Sequence, residues 1–220
     1  SSDVCSSDLP YNAGMSDTPD TRARAPRPAR TVAARAQLSP QDWIDAALAC
    51  LVDHNIDAVR VDVLARRMGV TRGSFYWHFT DRDDLLKRLL QSWRRTTTEQ
   101  VIARIQSLGT DPAFILRELL QLPTHGRTAA QASSVELAIR EWARRDPTAR
   151  EVVQEVDTRR QTFFAECFMA LGHGPDEAQH RAFVLYGCLI SDNLLRDGSG
   201  DDAQRQARLA SVHRLLVPPT

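Results

Sequence analysis

Residues 61–79 read VDVLARRMGVTRGSFYWHF and carry the clearest structural pattern in the chain. Apolar side chains recur at helical spacing before Gly69, and glycine readily takes the left-handed conformation that ends a helix. A second short helical pattern starts at Arg72. Within it Phe75 and Phe79 lie four residues apart and therefore share one helix face. Two short helices separated by a tight turn are typical of a helix-turn-helix.

The two faces of the second helix differ in chemistry. The side chains that we expect to clamp it from behind are Leu64, Ala65, Val70, Phe75 and Phe79. The side chains left for its outer face are Arg72, Ser74, Tyr76, Trp77 and His78. A helix that enters the DNA major groove, about 12 Å wide, must be narrow and polar on one face. The segment therefore predicts a DNA-reading helix.

Capping residues predict further helices on both sides of this motif. Ser39-Pro40-Gln41-Asp42 opens a first helix with a capping-box pattern, and His54-Asn55 ends it. Asp81 and Asp84 form a cap pair for a long fourth helix that reaches Ser107. Later helices are expected near residues 111–122, 128–145, 147–171, 175–196 and 201–216.

We find no convincing strand alternation, so the prediction is an all-α chain of about nine helices. Residues 38–84 are expected to form a three-helix DNA-binding domain. Residues 85–220 are expected to form an effector-binding and dimerisation domain.

From about Gln41 to Leu90 the sequence resembles the DNA-binding domain of TetR/AcrR family regulators. The strongest matches are Leu64-Ala65, Met68-Gly69-Val70, Phe75-Tyr76-Trp77-His78-Phe79 and Asp84-Leu85-Leu86, with weaker resemblance at residues 138–143 and 181–189. The resemblance implies an Ω-shaped homodimer of nine or so helices per chain. It also implies that the dimer binds double-stranded operator DNA and represses transcription until a small ligand releases it.

The resemblance places Thr71 to His78 on the recognition helix. Arg72 is the candidate for reading guanine O6 and N7, and the alternative is a phosphate contact. Gly73 lacks a side chain and lets the helix start approach DNA, or else it only adds flexibility. Ser74 is expected to touch a base edge or a phosphate. His78 is assigned to phosphate rather than to a metal, because no second ligand stands at metal spacing.

Four further residues complete the predicted DNA contact. Tyr76 resembles the family's phosphate-binding tyrosine, and Trp77 is either a sugar or thymine-methyl contact or a structural residue. Arg82 matches the basic residue that the family places at the start of the fourth helix, where phosphate is attracted. Arg60 stands where the family has a capping threonine, so either Asp62 compensates or Arg60 reaches phosphate and the cap is lost.

The second half contains no nucleophile elbow, Walker loop, dinucleotide glycine fingerprint or zincin motif. We therefore predict neither an enzyme nor a cofactor or metal site. A helical bundle can instead enclose a ligand cavity for a small-molecule effector that the sequence does not identify. The candidate wall residues, each of which is alternatively simple core, are Trp93, Phe114, Leu119, Trp142, Phe163, Phe164, Cys167 and Tyr186.

The last two helices are the predicted dimer interface. Two helix pairs related by a twofold axis would form a four-helix bundle and set the spacing of the operator half-sites. The predicted interface residues are Ala178, Ala182, Leu185, Leu189, Asn193, Leu209, Val212 and Leu216.

Charge and composition set wider bounds. The chain has 28 basic and 28 acidic residues, but residues 16–95 carry a net charge of +4 and residues 96–220 a net charge of −2. The first part is therefore the better partner for a polyanion. The scattered cysteines Cys5, Cys50, Cys167 and Cys188 lack CxxC spacing. Together with the lack of a long apolar run, they favour a cytoplasmic protein with reduced thiols and no membrane partner.

The N-terminal segment is predicted to be a disordered arm over residues 1–37. Its arginines Arg22, Arg24, Arg27, Arg30 and Arg35 form either a solvated tail or a basic arm that follows DNA. Residues 1–14 contain Ser-Ser-Asp twice and look foreign to the fold, which makes Met15 a candidate for the true start.

Two other functions compete with the ligand-responsive regulator. One is a helix-turn-helix DNA binder without an effector, which predicts a solid C-terminal core. The other is an all-helical carrier or enzyme that has lost DNA binding, which predicts no salt-dependent affinity for DNA.

Overall fold

The computed structural model describes residues 38–122, 126–195 and 202–217, with the side chains of 126–129 and 202 left out. Within these ranges the chain is entirely helical, as predicted. The predicted arm lies outside the described residues. The α-helices are α1 Pro40–Asp53, α2 Val61–Arg67, α3 Arg82–Arg94, α4 Gln100–Leu108, α5 Pro112–Gln121, α6 Gly126–Ala143, α7 Pro147–Ala170, α8 Pro175–Leu194 and α9 Asp202–Leu216.

Side-chain caps fix the helix starts that the sequence predicts. The Ser39 hydroxyl accepts from the Asp42 backbone N–H, and the Ser39 backbone N–H donates to the Asp42 carboxylate at 2.7 Å. The Asp81 carboxylate accepts from the Asp84 N–H at 2.8 Å. Asp146 caps α7 in the same way, by accepting from Ala149 N–H at 2.9 Å. These contacts satisfy backbone donors that a helix start leaves unpaired.

The turn after α2 is a Schellman motif built on Gly69. Gly69 has φ +67°, Val70 N–H donates to Ala65 O at 2.9 Å, and Gly69 N–H donates to Arg66 O at 3.2 Å. Both hydrogen bonds pair carbonyl groups that a helix end leaves unsatisfied. The left-handed backbone at Gly69 thus sets the angle at which the next helical segment leaves α2.

Gly69→Ala is expected to lower the free energy of unfolding by about 1–2 kcal/mol, because a Cβ atom disfavours left-handed backbone. Gly73→Ala is the matched control. The space around Gly73 holds only Thr71 Oγ1 at 3.7 Å from an added Cβ, so alanine there is expected to be neutral or stabilising by up to about 1 kcal/mol. Urea denaturation of both variants measures the difference, and equal effects would contradict the turn geometry.

The second helix of the motif is 3₁₀ rather than α-helical, and it spans Arg72–Trp77. We refer to it as the reading segment. The Ser74 hydroxyl donates to Thr71 O at 3.0 Å and the Ser74 N–H donates to the same oxygen at 3.2 Å, which favours the tighter i to i+3 turn. Thr71 occupies the N-cap position, but its side chain caps nothing.

The predicted long fourth helix is continuous but has a π-helical turn at Arg95–Glu99, which separates α3 from α4. We refer to this turn as the π segment. The Thr96 hydroxyl donates to Ser92 O at 2.8 Å, and the Thr97 hydroxyl donates to Trp93 O at 2.8 Å. These side chains compete for backbone acceptors, which favours a local change in helical pitch.

Two hydrophobic clusters form the interior. The first joins α1, α2, the reading segment and α3 to part of α6 and the first half of α7, and it includes Trp43, Phe75, Trp93 and Trp142. The second joins α4, α5, the second half of α7, α8 and α9. Because α6 and α7 contribute to the first cluster, that core crosses the domain boundary predicted at residue 84.

Candidate functional site

The reading segment exposes large aromatic side chains on one edge and buries one on the other. Phe75 is fully buried, whereas Tyr76 is 62% exposed and Trp77 is 82% exposed. Phe75 packs edge-on against Trp43 and stacked against Phe79, with ring centroids 5.2 Å apart in both pairs. Exposed aromatic surface of this size on a rigidly backed helix is typical of a binding site.

Polar groups surround these aromatics. Arg72 and Gly73 are exposed, and His78 is half-buried. The Ser74 hydroxyl donates to Thr71 O, as described above, so its lone pairs point away from the helix backbone. The arrangement offers a guanidinium, a hydroxyl and two aromatic edges along one narrow segment, which suits contact with phosphates and base edges.

Arg82 fixes the backbone before α2. Its Nε donates to Val59 O at 2.6 Å and its Nη2 donates to Ile56 O at 2.8 Å. These bonds tie the start of α3 to a 3₁₀ turn, Ile56–Ala58, that precedes α2. The sequence did not predict this positioning role, although an arginine at a helix start can bind carbonyl oxygens as well as phosphate. A phosphate contact by Arg82 stays a prediction.

The N-terminus of α2 has no side-chain cap. Arg60 occupies the N-cap position and forms an ion pair with Asp62, with Arg60 Nε 3.2 Å from Asp62 Oδ1. Asp62 thus pairs with Arg60 instead of replacing the missing cap. Because the Arg60 side chain is 63% exposed, this pair contributes little to stability. A phosphate contact by Arg60 stays a prediction.

The second half of the chain forms a half-open cavity of about 590 Å³ between the π segment, α4, α5, α6, α7 and α8. Leu108 and Leu122, 58% and 38% exposed, are its most exposed apolar lining residues. Its apolar lining is Val101, Ile102, Ile105, Leu108, Leu119, Leu122, Phe164, Leu189 and Ile190. Its other lining residues are Thr96, Thr97, Thr98, Arg104, Glu118, Gln121, Ala132, Ser133, Glu136, Arg160, Tyr186 and Asn193.

A network of ionic and hydroxyl groups lies at one end of this cavity, and we call Glu136, Arg140, Asp157, Arg160 and Tyr186 the polar cluster. Glu136, Arg160 and Tyr186 line the cavity, and Arg140 and Asp157 pair with them from behind. Arg160 Nη1 donates to Glu136 Oε1 at 2.8 Å and Oε2 at 3.0 Å. Arg140 Nη2 donates to Glu136 Oε1 at 2.9 Å and to Asp157 Oδ1 at 2.6 Å. The Tyr186 hydroxyl donates to Asp157 and accepts from Arg140.

The polar cluster also holds the π segment. Arg160 Nη2 donates to Thr97 O and to Thr97 Oγ1, both at 3.2 Å, and Arg160 Nε donates to Thr98 Oγ1 at 3.1 Å. Thr98 is 1% exposed. The wall of the cavity is therefore hydrogen-bonded to the helix that leads back to the reading segment.

Burial and ion pairing shift the pKa values of the acidic groups in this cluster in opposite directions. Burial raises the pKa of Glu136, but Arg160 and Arg140 outweigh it and hold the pKa below its usual value of 4.5. Burial raises the pKa of Tyr186 well above its ordinary value, so that its hydroxyl stays protonated. Glu136 is thus ionised at neutral pH, and Tyr186 is neutral.

Comparison with known proteins agrees with this geometry. Residues 44–89 match the family described as "Bacterial regulatory proteins, tetR family". The matched residues include the reading segment. The part of the chain that contains the reading segment is thus similar to the DNA-binding region of that family.

Two curated proteins are similar to part of this chain. The HTH-type transcriptional regulator SrpR of Pseudomonas putida is 42% identical over 64 residues, which are 29% of this chain and 30% of the relative. The HTH-type transcriptional regulator AcrR of Shigella flexneri is 30% identical over 92 residues, which are 42% of this chain and 43% of the relative. The matches therefore span less than half the length of these relatives.

Solved structures share the fold over a much longer range. A transcriptional regulator from Rhodococcus sp. Rha1 superposes with a TM-score of 0.68 over 82% of this chain and 96% of its own. Its sequence is 21% identical to this chain. The two chains therefore share one fold through the helices that line the cavity.

The structure brings only some of the predicted wall residues to the cavity. Leu119, Phe164 and Tyr186 line it. Trp93 and Trp142 instead lie in the first hydrophobic cluster, on the far side of the π segment. Phe114, Phe163 and Cys167 pack within the second cluster and lie outside the lining. Burial raises the pKa of the Cys167 thiol to about 11, as expected for a structural cysteine.

The predicted dimer stripe requires a correction. Ala178, Ala182, Leu185 and Leu209 are buried in the second cluster of their own chain, because the small-residue side of α8 is the side that packs on α7. Leu189 and Asn193 line the cavity, and Val212 and Leu216 are half-buried. The exposed apolar residues of α8 and of its C-cap lie on another face of the helix. They are Phe183, Val184, Leu194 and Leu195.

Sequence reasoning also missed most of the polar lining. Glu136 lies between Val135 and Leu137, Arg160 lies in the polar run 157–161, and only the α6 to α7 packing brings the two together. In the described ranges no cluster of three His, Cys, Asp or Glu side chains is arranged to hold a metal ion. None of the helices described is both long and apolar enough to cross a membrane.

Proposed function

We propose that this chain is a TetR-type, ligand-responsive transcriptional regulator that acts as a repressor. A dimer binds a near-palindromic operator through two reading segments, and a small effector in the cavity releases it. The observation that carries this proposal is the reading segment itself, with Phe75 fully buried behind an edge on which Trp77 is 82% exposed. A protein with this role works in the cytoplasm, where its DNA is.

On this proposal each exposed group of the reading segment has a role. Arg72 reads guanine or binds phosphate, and Gly73 allows the backbone to approach the groove. Tyr76 and His78 bind phosphate, and Trp77 contacts sugar or a thymine methyl group. Phosphate contacts fix the orientation of the protein on DNA, whereas contacts to base edges carry the sequence information.

The cavity supports the effector half of the proposal. A DNA binder without an effector predicts a solid C-terminal core, whereas this core holds about 590 Å³ of space beside the π segment. An effector that binds more tightly to the dimer when the spacing of its two reading segments does not fit the operator weakens DNA binding. By linkage the two effects are reciprocal, and they amount to about 1–3 kcal/mol in typical cases. The route would run from the polar cluster through Thr97 into α3.

The exposed face of α8 is the proposed dimer surface. Phe183→Glu is expected to weaken the dimer at least about hundredfold, because a twofold interface loses each buried side chain twice, at about 1.5–3 kcal/mol each. Met169→Glu, on an exposed position of α7, is the matched control and should leave the dimer intact. Analytical ultracentrifugation measures both, and a Phe183→Glu protein that dimerises like the parent would contradict this surface.

The proposed function is tested by fluorescence anisotropy with labelled duplexes from the intergenic DNA upstream of the chain's own gene. Saturable binding to one duplex is expected, with much weaker binding to shuffled sequence. Arg72→Gln is expected to weaken specific binding by about 1–3 kcal/mol, which is the value of a good bidentate base contact.

Arg95→Gln serves as the control, because Arg95 is equally exposed but lies on the π segment. It should bind DNA like the parent. Equal affinity for specific and shuffled DNA, or an Arg95→Gln loss as large as that of Arg72→Gln, contradicts the assignment of DNA reading to this segment.

A further inference from the structure

We infer that the cavity takes an uncharged amphipathic molecule, with an apolar body between α4, α5 and α8 and a hydroxyl, carbonyl or amide group at the polar cluster. This inference rests on the proposed function, because it names the chemical class of the effector. It follows from the chemistry of the two ends of the cavity.

The apolar part of the cavity is lined from four sides. Ile105, Leu119, Phe164 and Ile190 come from four different helices and surround the same space. Ligand cavities of this size, a few hundred cubic ångströms, bury most of a drug-sized molecule against apolar walls. A small polar molecule would leave most of this lining in contact with water.

The charges of the polar end are balanced. Arg140 and Arg160 face Glu136 and Asp157, which makes two positive and two negative groups, and Tyr186 is protonated. The opening adds Arg104 and Glu118, again one of each sign. Among the described residues, a charged group that a ligand placed at the buried polar cluster would therefore meet no net opposite charge, which is unfavourable.

The arginine donors at this end are already used. Arg160 directs its Nε and both terminal nitrogens to Glu136, Thr97 and Thr98. A carboxylate on the ligand would have to break these bonds to be paired. A ligand ammonium group would likewise compete with two arginines for Glu136, whose Oε1 accepts from both.

Neutral partners remain for a ligand. The Ser133 hydroxyl donates to Asn193 Oδ1 at 2.8 Å, and this orients the Asn193 amide so that its N–H groups can serve an acceptor on the ligand. Glu136 Oε2 accepts only from Arg160 among the described residues, so it can also accept from a ligand hydroxyl or amide. A single ligand group that both donates and accepts hydrogen bonds could therefore pair with Asn193 and Glu136 together.

The test is isothermal titration calorimetry of the full chain without DNA at pH 7, with decanamide, decanoate and decylammonium as probes. The three share a ten-carbon chain and differ in the charge of the end group. Decanamide is expected to bind at least about tenfold tighter than either ion. An ion that binds as tightly as decanamide overturns the inference, and so does failure of decanamide to bind up to its solubility limit.

Two variants locate the binding. Val101→Trp fills part of the cavity from a half-buried position and is expected to weaken decanamide at least about tenfold, whereas Met169→Trp on the outer surface should not. Unchanged affinity in a folded Val101→Trp protein overturns the site. In Glu136→Gln the polar cluster carries one surplus positive charge, so the affinity for decanoate should rise relative to the affinity for decanamide. The opposite shift contradicts the charge argument.

These outcomes separate the two proposals. Decanamide binding in the cavity of a chain that binds no DNA would refute the proposed function and leave the ligand class standing. DNA binding together with a preference for an ion would refute the ligand class alone.

Discussion

Arg160→Met is expected to lower the free energy of unfolding by about 3–5 kcal/mol, because it removes a partner of the buried Glu136 carboxylate and leaves a buried charge poorly compensated. Glu136 is 6% exposed, and Arg160 Nη1 lies 2.8 Å from its Oε1. The same change frees Thr97 O and Thr98 Oγ1, which are its acceptors on the π segment. Urea denaturation at pH 7 measures the effect.

Neighbouring substitutions separate the loss of pairing from the loss of an arginine. Arg159→Met removes an exposed arginine one residue earlier on α7 and should change stability by less than about 0.5 kcal/mol. The double variant Glu136→Leu with Arg160→Met leaves Arg140 paired with Asp157 and should be more stable than Arg160→Met alone. A double variant less stable than both single variants would contradict the pairing.

The cluster also predicts a pH dependence. The folded pKa of Glu136 lies below 4.5, so its ionised form stabilises the folded chain above about that pH. This contribution is lost as the pH falls through the depressed pKa. Because protonation removes the poorly compensated charge in Arg160→Met, the stability gap between that variant and the parent should narrow in acid. A gap that stays constant from pH 7 to acid contradicts a charge effect.

Phe75→Ala is expected to cost about 3–5 kcal/mol, the usual loss for truncating a fully buried aromatic residue. The substitution leaves a cavity between Trp43 and Phe79, whose rings both lie 5.2 Å from that of Phe75. Those contacts also hold the reading segment against α1, so DNA affinity should fall with stability. Thermal or urea unfolding and DNA titration measure the two losses.

Tyr76→Ala is the matched control, one residue along and 62% exposed. It should change the free energy of unfolding by less than about 0.5 kcal/mol, because most of its side chain is exposed to solvent. It should nevertheless weaken DNA binding. Loss of stability in Tyr76→Ala comparable to that in Phe75→Ala would show that the two faces of the reading segment are assigned the wrong way round.

Most of the fold could be predicted because its signals are local. Ser39 with Asp42, Gly69, and Asp146 with Pro147 each set a helix boundary through contacts within a few residues, and the structure confirms these boundaries within one or two residues. The 3₁₀ form of the reading segment was not predicted. It depends on Ser74 bonding back to Thr71 O, which apolar periodicity does not reveal.

The site was harder to predict because it depends on which face of each helix meets which neighbour. On α8, Ala182 and Phe183 are adjacent in sequence, yet one is 1% exposed and the other 67% exposed. A stripe of small residues is equally suited to an interface between helices of one chain and to one between chains. Only the packing of α8 on α7 decides, and it places the small residues inside.

The polar cluster illustrates the same limit for charged residues. Glu136 and Arg160 are 24 residues apart on different helices, and charged residues of these types usually face solvent. Their burial follows from the antiparallel packing of α6 and α7. Trp93 and Trp142, in contrast, looked like pocket walls from residue type alone and serve as core beside the reading segment.

DNA binding by the reading segment is the claim on which the rest depends, and its salt dependence tests it most directly. We expect the affinity for the upstream duplex to fall by about 10³–10⁵ between about 50 and 200 mM salt, as for a complex with roughly 6–10 phosphate contacts. Trp77→Ala should weaken binding at every salt concentration. Affinity that is flat with salt, or identical in the parent and Trp77→Ala, would contradict the account.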